Sequence, residues 1–100
     1  MTNLTKLQKE IYQNKLDQGF NVTDLNLEFA LVHGELAEAF EAYYKKMPNL
    51  GEELADVAIY LFGMAEILGL DLGEEILKKV EKNKKRKYEK INGVPIRVED

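Results

Sequence analysis

Apolar side chains recur along this chain at spacings of three and four, the interval that places residues on one face of an α-helix. Leu4, Leu7 and Ile11 open such a stripe and Gly19 can end it, which predicts a first helix from about Leu4 to Asp17. A second is expected from about Asp24 to Lys45, capped by Thr23 or Asn21, whose short side-chain oxygens accept the unpaired N–H groups of a first turn. The third, from about Leu50 to Leu68, follows Asn49-Leu50-Gly51-Glu52, a loose capping box with Pro48 just outside it. The fourth starts after a similar box, Asp71-Leu72-Gly73-Glu74, and continues to about Lys87.

Between the second and third helices only the stretch from Lys46 to Asn49 reads as non-helical, and the connection from Gly69 to Asp71 is equally short. Connections of that length force neighbouring helices to run antiparallel. The expected fold is therefore all-α, an antiparallel four-helix bundle. The end of the chain differs. Tyr88-Glu89-Lys90-Ile91 and Val94-Pro95-Ile96-Arg97-Val98 flank Asn92-Gly93, a dipeptide suited to the positive φ angles of a type I′ turn. Pro95 confines its strand to an edge. The terminus is either a short β-hairpin or an extended tail. Residues 1–100 read as one helical domain, with a core over about 4–88 and a tail over 89–100.

Composition narrows the class. Of the 100 residues 45% are hydrophobic, which excludes a disordered chain, and none is cysteine, which excludes a disulfide scaffold or thiolate metal site. The first residues lack the charged-then-apolar layout of a signal peptide, and the longest apolar run, Val57 to Phe62, is too short to span a bilayer. A cytoplasmic protein with no membrane partner is expected. The net charge of −4 is unevenly spread. Residues 24–75 hold twelve acids against Lys45 and Lys46, while residues 78–90 hold eight bases against Glu81 and Glu89.

The third helix is unusual, because from Leu54 to Leu70 only Asp56 and Glu66 are charged. A helix with so little polar surface is expected to be buried on most sides, in the bundle and against a second subunit, with Asp56 partly buried. Glu53 lies one turn before Asp56 on the same face, and Glu35, Glu38 and Glu41 follow one another at intervals of three on the second helix. If the intervening turn is centred near Met47, Glu38 and Asp56 sit at similar depth on adjacent helices. Carboxylates converging in this way repel one another unless protons, bases or a divalent cation neutralise them, and an all-oxygen set suits Mg²⁺ or Mn²⁺. On the fourth helix Lys79, Asn83 and Arg86 share a face and suit phosphate oxygens. His33 and the aromatic residues Phe29, Phe40, Tyr43, Tyr44, Tyr60 and Phe62 read as packing side chains, whereas Tyr88, following Arg86, is a candidate for substrate contact.

Glu35-Leu36-Ala37-Glu38, Glu52-Glu53-Leu54-Ala55-Asp56 and the Lys79, Asn83, Arg86 spacing together resemble the MazG-like, all-α nucleoside triphosphate pyrophosphohydrolase superfamily over about residues 25–88. The most specific fragment is Glu52–Leu61. The resemblance implies a homodimer or homotetramer that cleaves a nucleoside triphosphate, with Mg²⁺, to the monophosphate and pyrophosphate. Glu35, Glu38, Glu53 and Asp56 would be the metal ligands, Glu38 or Glu41 the acceptor of the water proton, and Lys79, Asn83, Arg86 and Tyr88 the substrate contacts. Three other readings compete. One is a non-catalytic helical oligomerisation or interaction module. A second is a relative acting on another nucleotide, such as phosphoribosyl-ATP. The third, a nucleic-acid binder, is opposed by the acidic balance of the chain, so no nucleic-acid partner is expected.

Overall fold

The computed structural model describes residues 3–99. Four helices, α1 (Leu4–Asp17), α2 (Leu25–Tyr44), α3 (Leu50–Ile67) and α4 (Leu72–Lys85), are followed by strands β1 (Lys87–Ile91) and β2 (Val94–Glu99). The all-α class and all four expected helices are therefore present, and the C-terminal alternative resolves to a hairpin. Helix α4 ends two residues earlier than expected, because Arg86 adopts an extended conformation and leads directly into β1. The hairpin turns at Asn92 and Gly93, both with positive φ, and pairs Ile91 with Val94.

Local chemistry explains most boundaries. Asp24, rather than Thr23 or Asn21, caps α2 by accepting from the Leu27 N–H at 3.1 Å. Asn21 acts one step earlier, its Oδ1 accepting from the backbone of Asp24 at 3.0 Å. Asp71 caps α4 by accepting from the Glu74 N–H at 3.2 Å and also takes the Thr5 hydroxyl at 2.9 Å. Gly19 closes α1 with φ of 72°, where a side chain would be strained. Asn49 at the start of α3 makes no capping hydrogen bond with its side chain. That side chain is engaged elsewhere, as described below.

Helix α3 is the centre of the arrangement: α2 packs along it, α1 packs against it, and α4 lies on α1. Buried Gln8 fixes α1 to the α3–α4 connection. Its Nε2 donates to Leu70 O at 2.7 Å and Glu66 Oε1 at 2.9 Å, and its Oε1 accepts from the Leu72 N–H at 3.1 Å. Gly63 of α3 lets the stem of Lys15 cross at close range, since a Cβ there would stand 3.1 Å from Lys15 Cδ.

Few apolar side chains are fully buried within one chain: Ala39, Ala42, Met64 and Ala65 form the core. Leu36 and Phe40 of α2 and Leu54, Ile59 and Leu61 of α3 are exposed. Within one chain α3 is enclosed only over Gly63, Met64 and Ala65 and Asp56 is exposed, whereas the enclosure expected of α3 included a second subunit as well as the bundle. The radius of gyration, 16.8 Å, exceeds the ~13 Å usual for a compact domain of this length. No described helix is long and apolar enough to cross a membrane.

Candidate metal centre

Glu35 and Glu38 sit one turn apart on α2, and Glu53 lies in the first turn of α3 on the facing helix. Their carboxylate oxygens come within 4.8 Å of one another. Asp56, one turn further along α3, stands near enough to act on Glu35 and Glu53 electrostatically, and it shares with Glu35 the lining of a cavity. Glu38 thus meets Glu53 most closely, one turn nearer the connection than the equal-depth estimate for Asp56 places the contact. Glu41 and Glu38 line a smaller cavity of about 270 Å³ together with Asn49 and Glu53. Glu41 itself pairs with Lys45 at 2.9 Å on the exposed side of α2.

The electrostatics are those of carboxylates held together without a counter-charge. Glu35 is pushed above its ordinary pKa, first by loss of solvation, then by the charges of Glu38, Asp56 and Glu53 and a hydrogen bond with Glu38. Glu53 is raised in the same way, by loss of solvation and then by Glu38, Asp56 and Glu52. The neighbouring charges that raise these two groups are negative. Asn49 supports the cluster by donating from Nδ2 to Glu53 Oε1 at 3.1 Å. The other oxygen, Glu53 Oε2, is buried without a hydrogen-bond partner, as is Asn49 Oδ1. A buried carboxylate oxygen with no donor is costly, and a divalent cation is the neutralising partner that an all-oxygen set accepts. The donor set therefore fits a hard cation, and its residue types exclude a zinc site of the thiolate or imidazole kind.

The cations on α4 form a separate group. Lys79 is held below its ordinary pKa, first by Arg86, then by loss of solvation, Lys82 and Arg97. Arg86 Nε is buried without a hydrogen-bond partner. Lys79, Arg86 and Arg97 thus gather positive charge between α4 and the hairpin, with Asn83 on the same helix and Tyr88 exposed on β1. Because α4 packs on α1 whereas the carboxylates lie between α2 and α3, one chain does not bring the two groups together. His33 is exposed, neither packed nor part of the cluster. Asn49 escaped sequence reasoning as a functional residue. Its four-residue spacing to Glu53 was the available signal, masked by its equally good fit to a helix cap.

The fold and site together define a small all-α protein with a cluster of carboxylates between paired helices. The chain belongs to the MazG-like family, whose model matches residues 25–99. No curated protein and no solved structure matches it. Membership places it in a superfamily of nucleotide pyrophosphohydrolase type, and the match includes every carboxylate of the cluster.

Proposed function

We propose that the protein is a Mg²⁺-dependent nucleoside triphosphate pyrophosphohydrolase, releasing a nucleoside monophosphate and pyrophosphate. The observation that carries this reading is the convergence of Glu35, Glu38 and Glu53 around a buried, partnerless carboxylate oxygen, in a chain of the MazG-like family. Glu35, Glu38, Glu53 and Asp56 would hold Mg²⁺, or Mn²⁺ in its place. The bound cation would supply the positive charge that draws a polyphosphate to an acidic surface and stabilises charge in an in-line displacement. Glu38 or Glu41 accepts the proton of the attacking water. Lys79, Asn83 and Arg86, with Tyr88 beside them, grip the phosphate oxygens.

The same reading requires more than one chain. The exposed apolar side chains of α2 and α3 and the expanded dimensions are those of a subunit whose core is completed by another copy. Charge complements shape, because acidic α2 and α3 and basic α4 attract in trans. A homodimer or homotetramer in which α4 of one copy approaches the carboxylates of another would unite the two halves of the site.

The test is pyrophosphate release from a panel of ribo- and deoxyribonucleoside triphosphates, with and without Mg²⁺. Glu38→Ala and Asp56→Ala should each abolish turnover while the far-ultraviolet circular dichroism remains helical. Retention of full activity by both variants would refute the site. Absence of cleavage across the panel would favour a non-catalytic interaction module.

A further inference from the structure

The hairpin sorts its charges by face. Ile91 and Val94 flank the turn, and from there Lys90 pairs with Pro95, Glu89 with Ile96, Tyr88 with Arg97 and Lys87 with Glu99. Side chains alternate along a strand, and residues directly opposite one another share a face. Tyr88, Lys90 and Arg97 therefore lie on one face, and Arg86, in extended backbone two residues before Tyr88, continues it. Glu89 and Glu99, the acids of the two described strands, lie on the other. Strict alternation would set Glu99 on the same face as Arg97. The register shift between Lys87 and Tyr88 leaves Val98 unopposed, a β-bulge that turns Glu99 to the face opposite Arg97.

The basic face is the one that meets α4. Arg86 first, and Arg97 among the further charges, depress the pKa of Lys79 on that helix. Arg86 Nε is buried without a hydrogen-bond partner, so its guanidinium is partly desolvated and interacts strongly with any anion that reaches it. Lys79 from α4, Arg86 from its end and Arg97 from β2 thus converge at the corner where helix becomes hairpin. We propose that Arg97 is a further phosphate-binding residue, carried by the hairpin to hold the terminal diphosphate of the substrate together with Lys79 and Arg86. The proposal rests on the pyrophosphohydrolase reading for the identity of the substrate. The two terminal phosphates bear most of the charge of a nucleoside triphosphate. A lysine and one arginine balance that charge incompletely, and a second guanidinium fork adds paired N–H donors suited to phosphate oxygens. The bulge then has a purpose, since a carboxylate on the face of Arg97 would repel the same anion.

The experiment titrates inorganic pyrophosphate into the full chain in EDTA at fixed ionic strength, followed by NMR. The Nε–H resonances of Arg86 and Arg97 should shift together and saturate at the same concentration. Arg97→Gln should weaken binding about tenfold or more. Arg97→Lys, which keeps the charge but not the fork, should recover part of the loss. Lys6→Gln removes one exposed charge from α1 and should leave the affinity unchanged. Contacts between Tyr88 and residue 97 report whether the hairpin stays paired in each variant. Absence of pyrophosphate binding, or an Arg97 Nε–H resonance that stays still at saturation in the unaltered protein, would overturn the proposal, and neither result depends on a variant folding. So would equal weakening by Lys6→Gln and Arg97→Gln, since net charge alone would then govern binding. Pyrophosphate release from nucleoside triphosphates in Mg²⁺ separates the two readings. Saturable binding through Arg97 without any cleavage sinks the hydrolase and leaves the anion site. Cleavage with kcat and KM both unchanged in Arg97→Gln does the reverse.

Discussion

Asn49 Nδ2 donates to Glu53 Oε1 at 3.1 Å across one turn of α3, and both remaining polar oxygens of the pair are buried without a hydrogen-bond partner. The asparagine fixes one carboxylate oxygen and leaves the other to face Glu38 and the shared cavity. A group that orients a metal ligand in this way commonly contributes ten- to a hundredfold in affinity. Asn49→Ala should therefore weaken Mg²⁺ binding by about 10-fold or more. Isothermal titration with Mg²⁺ or Mn²⁺ measures it. Asn49→Asp adds a charge but loses the donor to Glu53, so a variant binding as well as the parent would show that the hydrogen bond is incidental.

The acid cluster also dictates a pH dependence. Glu35 and Glu53 both have folded pKa values raised above 4.5, by lost solvation first and neighbouring carboxylates second. The folded state therefore binds more protons than the unfolded chain in the window above 4.5. Their contribution to stability is fully present below that value and is lost as pH rises through the raised folded values. Without metal, the loss across this window should shrink in the double variant Glu35→Gln, Glu53→Gln, measured by thermal denaturation. Added Mg²⁺ should stabilise the parent most at neutral pH, where protons no longer compete for the carboxylates. A stabilisation by Mg²⁺ that grows as pH falls would contradict the cluster as its site.

Much of this was legible in the sequence because the signals were local. The Asp71 cap, the Gly19 stop and the Asn92-Gly93 turn each depend on a few consecutive residues, and each is found in place. The pairing of Glu35 and Glu38 with Glu53 was legible too, since a short connection fixes which faces of two antiparallel helices meet. What escaped depends on distant partners. The union of Lys15 with Glu28 needs α1 to lie beside α2, and no spacing rule relates residues on helices joined through a glycine stop and an asparagine turn. How much of α3 its own chain covers was not legible either, because an apolar helix reads the same whether the bundle or a second subunit encloses it.

Gln8 is another long-range feature, and its removal has a calculable consequence. Its side chain satisfies both Leu70 O and the Leu72 N–H at the α3–α4 connection. Gln8→Leu keeps comparable bulk but strands these partly buried backbone groups, at a cost of about 1–3 kcal/mol. Urea denaturation should show that loss with an unchanged m-value. Glu53 lies at the opposite end of α3 from this connection and Glu35 and Glu38 lie on α2, so Mg²⁺ affinity should be unaltered; a large change in affinity would mean that the connection is coupled to the carboxylate cluster.

The separation of the α4 cations from the carboxylates is the feature most readily turned into a decisive measurement. The charges that lower Lys79 are those of Arg86, Lys82 and Arg97, whereas the charges that raise Glu35 and Glu53 are those of other acids. If α4 of one copy serves the carboxylates of another, a chain lacking its acids and a chain lacking its bases can restore each other. Glu38→Ala, and separately Lys79→Ala with Arg86→Ala, should each be inactive alone. Unfolded together and refolded in equal amounts, they should regain about one quarter of parental activity. That fraction follows because a site drawing one half from each of two randomly assorted chains is intact with that frequency. Mixed oligomers that form yet stay inactive would place the two halves of the site within one chain, and would require α4 to leave its seat on α1 during turnover.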